Sequence, residues 1–378
     1  MKVLIACGGT GGHINPGLAI AEIIKGKYPD AEFLFAGTPN GMEAKLVPKA
    51  GYRLETIKVA GFQRKISLEN IGRNIKAVSY LAVSGKRAKE IIEGFKPDIA
   101  IGTGGYASGP VIRKASRMGI PTAIHEQNAY PGITNKLLAK EVDFVMLTVK
   151  EALDYMDESK FEYSVTGLPV RSGISRITKE EARKKLGING DFTVLSFGGS
   201  LGAGCINDTM ADAIKWEVKN GLKINHIHGY GGMGKDTFPK EMKKAGIPMK
   251  SNRLRITEYI NDMDVCLAGA DLVVCRSGAS TLAELEASAK ASILIPSPIV
   301  AGNHQYHNAM VLGKAGASVV IEQKDATSER VISEIERLYR NPKKAKVMSI
   351  NAGKLNVADT NDRILAVIDK LYNKSKKS

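Results

Sequence analysis

The sequence predicts an α/β protein made of two doubly wound parallel-sheet domains in tandem. Three features carry that expectation. Short apolar runs alternate with helical patterns along almost the whole chain, the signature of parallel strands joined by crossover helices. The 378 residues are long for one such domain and comfortable for two, each able to bury its own core. Glycine clusters follow directly on three of the apolar runs, as in open α/β sheets that hold ligands at the C-terminal ends of their strands.

Taken in order, the first half offers strands at Val3 to Cys7, Glu32 to Ala36, Arg53 to Ile57, Asp98 to Ile101, Thr122 to His125, Phe144 to Leu147 and Tyr163 to Val165. The turn-rich Gly167-Leu168-Pro169-Val170-Arg171-Ser172-Gly173 then suits a link between domains. The pattern restarts with Thr193 to Phe197, Lys223 to His226, Leu254 to Ile256, Leu272 to Cys275, Ser292 to Ile295 and Ser318 to Ile321. The expected division is 1–166 and 167–354. A helical tail from about Pro342 to Tyr372 is expected to return, over about 355–372, to the first domain, with Lys374 to Ser378 disordered.

The first glycine cluster, Gly8-Gly9-Thr10-Gly11-Gly12-His13, is the most informative. It sits between an apolar strand and a helical pattern with Pro16 expected near the first helical position. Free backbone N–H groups at such a helix start form an anion site, and glycine lets a ligand come close. His13 adds a group able to exchange a proton near neutral pH. Taken alone, the same turn also suits plain helix-on-sheet packing. Recurrence at Gly102-Thr103-Gly104-Gly105-Tyr106-Ala107 and at Gly198-Gly199-Ser200-Leu201-Gly202-Ala203 favours ligand binding.

Composition narrows the partners. The four cysteines lack C-x-x-C spacing and sit in apolar surroundings, so they suggest buried thiols in a reducing compartment rather than a disulfide or zinc framework. The N-terminal apolar run is too short for a signal peptide, and no apolar stretch is long enough to span a bilayer. The net charge is +15, and Lys58 to Lys96 holds nine basic residues against three acidic ones. Ile66, Leu68, Ile71, Ile75, Val78, Leu81 and Val83 recur there at broadly helical spacing. Such a stretch suits an anionic lipid surface, or equally a helix packed on its own sheet with lysines in water. A single Trp and no interleaving of basic with aromatic residues argue against nucleic acid.

Several long motifs in one order resemble the MurG glycosyltransferases: GGTGGH at 8–13, GTGGYASGP at 102–110, HEQNAYPGITNK at 125–136, PVR at 169–171, GGSLGA at 198–203, CRSGASTLAE at 275–284 and NHQYHNA at 303–309. The resemblance spans nearly the whole chain. It implies the GT-B architecture, two Rossmann-like domains, the first for acceptor and membrane and the second for a UDP-sugar donor. It implies inverting transfer of N-acetylglucosamine from UDP-N-acetylglucosamine to the muramoyl 4-hydroxyl of lipid I, giving lipid II, at the cytoplasmic face of the cell membrane. Implied partners are the anionic inner leaflet and a cell-wall synthesis complex, with no cofactor.

The resemblance also distributes roles. Donor contacts fall on Thr10, Gly11, Gly12, Arg171, Ser200, Ile260, Arg276, Ser277, Gly278, Ala279, Glu284, His304 and Gln305. Physically, the strand-to-helix junction at 275–279 can hold a diphosphate, and Glu284 can accept from both ribose hydroxyls. Acceptor contacts fall on Tyr106, Asn128 and Asn135. Attack by a hydroxyl needs a general base, for which His13 is preferred and His125 and Glu126 are rivals. Departures from the family pattern are Leu168 in place of Asn and the glycine-rich 229–234 loop. That loop spells G-x-G-x-x-G, yet it follows the second strand of its domain, which disfavours NAD. Asp262-Met263-Asp264 spells D-x-D but falls at an expected helix start, where acidic residues serve the helix. Transfer to another lipid, a UDP-sugar epimerase and a non-catalytic UDP-sugar-binding protein are the alternatives; HEQNAYPGITNK disfavours the first.

Overall fold

The computed structural model describes residues 1–59, 83–171, 173–174, 177–199 and 201–377. The chain divides into two compact units, Met1–Pro169 with Asp359–Ser378, and Val170–Ala358. The middle of the basic, apolar stretch at 58–96, residues 60–82, lies outside the described residues, as does Ser200.

In the first unit, β1 (Lys2–Cys7), β2 (Glu32–Gly37), β3 (Arg53–Thr56), β4 (Ile99–Gly104), β5 (Thr122–Glu126), β6 (Phe144–Leu147) and β7 (Glu162–Val165) form one parallel sheet of order β3-β2-β1-β4-β5-β6-β7. The order reverses beside β1, which pairs with β2 on one side and β4 on the other, Leu4 opposite both Leu34 and Ala100. Helices cover both faces. Leu4 and Ala6 face one core, Val3, Ile5 and Cys7 the other, by the two-residue period of a strand. Burial on both faces explains why central strands such as β1 are legible as continuous apolar runs.

α1 (Gly11–Lys27) lies on the second of these faces and is joined there by α15 (Thr360–Ser375). Ile364, Val367, Ile368 and Leu371 recur at helical spacing and bury on this face. Their burial is worth on the order of 8 kcal/mol before conformational entropy. Tyr28 donates to Asp369 at 2.6 Å, and Arg363 donates to the Val165 carbonyl at 2.9 Å. The expected disorder after Lys374 begins too early: α15 runs to Ser375, with Lys374 paired to Asp143 and Lys376 over the Tyr372 ring.

Two further expectations are corrected. Pro16 is not near the helix start but inside α1, because Gly11 and Gly12 are already helical. Its missing N–H costs one bond to the Gly12 carbonyl, where the chain is exposed to water. β4 extends through Gly104, whose φ of +108° only glycine tolerates readily, and a register shift pairs Cys7 with Gly104.

The second unit repeats the scheme with β8 (Phe192–Phe197), β9 (Ile224–Gly229), β10 (Leu254–Thr257), β11 (Leu272–Cys275), β12 (Ala291–Leu294) and β13 (Ser318–Val320) in the order β10-β9-β8-β11-β12-β13, all parallel. β9 outruns its expected end because its sequence, Ile-Asn-His-Ile-His-Gly, buries polar groups that find partners. His226 Nδ1 meets Glu217 of α7 (Gly204–Lys219) at 2.9 Å, its Nε2 meets Ser196 Oγ at 2.8 Å, and Ser196 Oγ meets His228 Nδ1 at 2.8 Å. His228 Nε2 is buried without a partner, and its ring lies 4.5 Å from that of Phe238.

Burial, reinforced by His226, pushes His228 down to about 3, and burial pushes His125 down to about 4. An unfolded histidine titrates near ~6.5. As pH falls below that value the unfolded chain takes up protons that the native state refuses, so stability falls with acidification. Each of the two histidines is expected to cost about 2 kcal/mol at pH ~5. Urea midpoints at neutral and acid pH should show His228→Phe, which fills the same space against Phe238, losing less than the parent. An equal loss in both proteins would refute the assignment.

Candidate active site

At the C-terminal edge of the first sheet, the loops after β1 and β4 lie backbone against backbone. A Cβ on Gly105 would stand 2.2 Å from the Gly8 carbonyl oxygen, and one on Gly104 would stand 2.7 Å from His13 Nδ1. Both glycines have positive φ. Close approach therefore fixes glycine here. His13 N–H and Ile14 N–H both donate to the Thr10 carbonyl, starting α1, so Gly11 and Gly12 supply the first-turn N–H groups that lack intrahelical acceptors. Thr10 and Gly12 are exposed and Gly11 partly so.

His13, half-buried, ends a chain of hydrogen bonds whose polarity is set from its far end. The Gly167 carbonyl can only accept, so His125 Nε2, 3.1 Å away, carries a proton. His125 Nδ1 is then the acceptor for the Gln127 amide N–H at 3.1 Å, which also donates to the His125 carbonyl at 2.8 Å. That orientation turns Gln127 Oε1 towards His13 Nδ1 at 3.0 Å. The neutral His13 ring therefore carries its proton on Nδ1, and Nε2 keeps its lone pair. His125 and Gln127 are both buried.

Glu126 is buried beside this chain, and its carboxylate is filled. Oε1 accepts from Asn128 N–H at 2.9 Å and Asn128 Nδ2 at 3.1 Å; Oε2 accepts from Gly132 N–H at 3.0 Å and Asn135 Nδ2 at 2.8 Å. Four donors occupy the usual capacity of a carboxylate. Asn135 is turned inward, bracing both Glu126 and the His125 carbonyl. Tyr106, by contrast, is 57% exposed on the β4 loop.

In the second unit, β11 ends at Cys275 and α11 (Ala279–Ala287) starts after Gly278. Ser277 is buried and donates to the Gln305 carbonyl at 2.7 Å, tying the junction to α12 (His304–Lys314). Gln305 Oε1 accepts from Ser297 N–H at 2.9 Å, and His304 Nδ1 lies 2.9 Å from the Ala301 carbonyl. Glu284, one turn into α11, faces Arg171, which donates to it through Nε at 2.5 Å and Nη2 at 2.7 Å. Hydrogen bonding to Glu284 raises the Arg171 guanidinium further above its ordinary value. Arg276 points elsewhere, donating to the Ile295 and Pro296 carbonyls and to Gln323, and so braces the β12 loop.

Gly229, Gly231 and Gly234 answer to packing, whereas a Cβ on Gly232 would meet nothing within 4 Å. A Cβ on Gly202 would stand 2.3 Å from the Tyr230 carbonyl oxygen, and one on Gly231 would stand 2.3 Å from Gly202 N. Met233 N–H donates to the Leu201 carbonyl at 3.0 Å, and Ile260 packs its side chain under Gly229. Asp262 precedes α10 (Met263–Gly269), but its carboxylate is held by Arg255 at 2.6 and 2.8 Å. Among the described residues no three His, Cys, Asp or Glu side chains gather as metal ligands. None of the described helices is long and apolar enough to cross a membrane.

Two residues stand out beyond the sequence reading: Gln127, which it placed on the acceptor side without a role, and Glu43, which it passed over. Gln127 lay inside the HEQN motif, where its spacing two residues from a strand-end histidine was the available signal. Glu43 had none, since the loop it holds, at Gly9, lies 34 residues away in sequence.

Two Rossmann-like units with glycine-turn junctions at their strand ends are the parts of the GT-B fold, and the family matches make the chain a glycosyltransferase. Residues 3–147 match the N-terminal domain of glycosyltransferase family 28, and residues 193–364 its C-terminal domain. A protein of Acetivibrio thermocellus is 47% identical over 378 residues, covering 99% of this chain and 100% of its own. One of Thermoanaerobacter sp. strain X514 is 44% identical over 369 residues, covering 97% and 99%. Both bear the name UDP-N-acetylglucosamine–N-acetylmuramyl-(pentapeptide) pyrophosphoryl-undecaprenol N-acetylglucosamine transferase. The crystal structure of Acinetobacter baumannii MurG matches with a TM-score of 0.78 at 26% identity, covering 98% of this chain and 99% of that one. The chain belongs to the MurG family.

Proposed function

We propose that this UDP-N-acetylglucosamine-dependent transferase, which converts lipid I to lipid II, uses His13 Nε2 as its general base. The acceptor 4-hydroxyl attacks C1 of the donor sugar, its proton passes to Nε2, and the C1–O bond to UDP breaks with inversion. The observation that carries this reading is the Gly167–His125–Gln127–His13 chain, which leaves Nε2 as the unprotonated nitrogen. His125, kept neutral by burial, and Glu126, saturated by four donors, act as positioning residues.

The donor is assigned to the second unit. The backbone at Ser277, Gly278 and Ala279 and the dipole of α11 suit the diphosphate, whose charge grows as UDP departs. Glu284 retains acceptor capacity for both ribose hydroxyls beside its Arg171 contacts. Ser200, outside the described residues, is proposed as a diphosphate contact, His304 and Gln305 as sugar contacts, and the backbone around Ile260 as a nucleotide contact. Thr10, Gly11 and Gly12 are proposed as further donor contacts, and Tyr106 and Asn128 as acceptor contacts. The net charge of +15 and the basic excess from Lys58 to Lys96 support an anionic membrane surface as the place of work.

The test is UDP release from UDP-N-acetylglucosamine with lipid I in anionic vesicles, alongside detection of the disaccharide lipid. Release that requires lipid I and matches product is the expected result. Isomerised UDP-sugar without lipid I, or donor binding without release, would overturn it in favour of an epimerase or a binding protein.

A further inference from the structure

Glu43, the first residue of α2 (Glu43–Lys49), is fully buried under the 8–13 loop. Its Oε2 accepts the Gly9 N–H at 3.1 Å; its Oε1 accepts the Thr38 N–H at 2.8 Å and the Thr38 hydroxyl at 2.6 Å. The chain clears space for it: a Cβ on Gly8, Gly37 or Gly41 would stand 2.6, 2.5 or 2.3 Å from Glu43 side-chain atoms. A buried carboxylate survives only with such donors. Burial works to raise its proton affinity, but the bonds from Thr38 and Gly9 outweigh it and hold the carboxyl below its ordinary value. The charge is felt by Cys7, whose thiol is pushed up to about 12 by burial and then by Glu43.

The loop is thus gripped on two sides, by Glu43 at Gly9 and by the Gly104–Gly105 backbone at Gly8 and His13. We propose that Glu43 is a positioning residue for transfer: by anchoring Gly9 it sets where α1 begins, and so where His13 Nε2 and the Gly11 and Gly12 N–H groups stand. This rests on the reading of His13 as base. A glutamine at 43 has a single acceptor oxygen, so either Gly9 or Thr38 would then direct its N–H at an NH2 group. The loop would shift to relieve that clash.

In the full chain, Glu43→Gln is expected to lower kcat about ten- to a hundredfold, since misplacement on the ångström scale costs that much. The KM for UDP-N-acetylglucosamine should rise by less than kcat falls, since the ribose and diphosphate contacts are assigned to the second unit, and the double variant with His13→Ala should be no slower than His13→Ala alone. Glu43→Asp keeps the charge but draws it back by one methylene, and should show the same kcat loss if the glutamine variant fails to fold. Thr38→Val, which keeps the Gly9 bond, should keep kcat within about twofold. Folded Glu43→Gln and Glu43→Asp proteins with the parent kcat, or a kcat loss that persists in full on top of His13→Ala, would overturn the positioning role. Normal turnover of His13→Ala by itself would overturn the base assignment, and with it the route proposed for Glu43.

Discussion

His13→Ala is expected to lower kcat about 10²- to 10⁴-fold, the range for losing a positioned general base, while UDP affinity changes little. The two quantities separate because the residues assigned to UDP's ribose and diphosphate belong to Val170–Ala358, whereas His13 belongs to the first unit. Truncating the ring removes one hydrogen bond, to Gln127, and buried neighbours hold Gln127 itself in place through His125. The fold should therefore tolerate the change. Turnover and UDP binding are measured on one preparation, the first by product formation and the second by calorimetry. A parallel fall in both would mark His13 as structural.

Glu284→Gln is expected to raise the KM for UDP-N-acetylglucosamine about 30- to 100-fold, with kcat at saturating donor changing only a few-fold. Hydrogen bonds to a charged acceptor are worth roughly 1.5–3 kcal/mol each, and contacts made equally in ground and transition states appear in KM. The carboxylate is already oriented by Arg171 Nε and Nη2, so it needs little rearrangement to receive ribose. A donor lacking the 2′-hydroxyl supplies the control. The parent should discriminate against it, and the variant should hardly distinguish the two. If the variant discriminates as strongly as the parent, the ribose assignment fails.

How much of this was legible depended on the range of the interactions. Strands buried on both faces, such as β1 and β11, appear as unbroken apolar runs, and each expected strand of both sheets has its counterpart. The ends were less legible where polar or glycine residues are satisfied by distant partners. β9 continues through His228 because Glu217 and Ser196 serve its histidines, and β4 continues through glycines that look like a turn. In the candidate site, the motifs placed His13, Glu126 and Glu284 at strand ends and a helix start. They did not tell a base from its support, because the proton on His13 is set by a carbonyl at Gly167, reached through His125 and Gln127. Glu43 was invisible for the same reason: its loop partner Gly9 lies 34 residues away in sequence.

The return of α15 to the first sheet imposes an order on the birth of the protein. Every strand of Val170–Ala358 leaves the ribosome before α15 does, so the second unit can close while the first still shows water the apolar face around Ile20, Ile24, Ile99 and Ile101. The half of the molecule synthesised first is finished last. Until Ile364 to Leu371 arrive, the unit bearing His13 is a sticky, half-clad intermediate, and chains released short of α15 would carry a complete second unit beside a first one prone to aggregate.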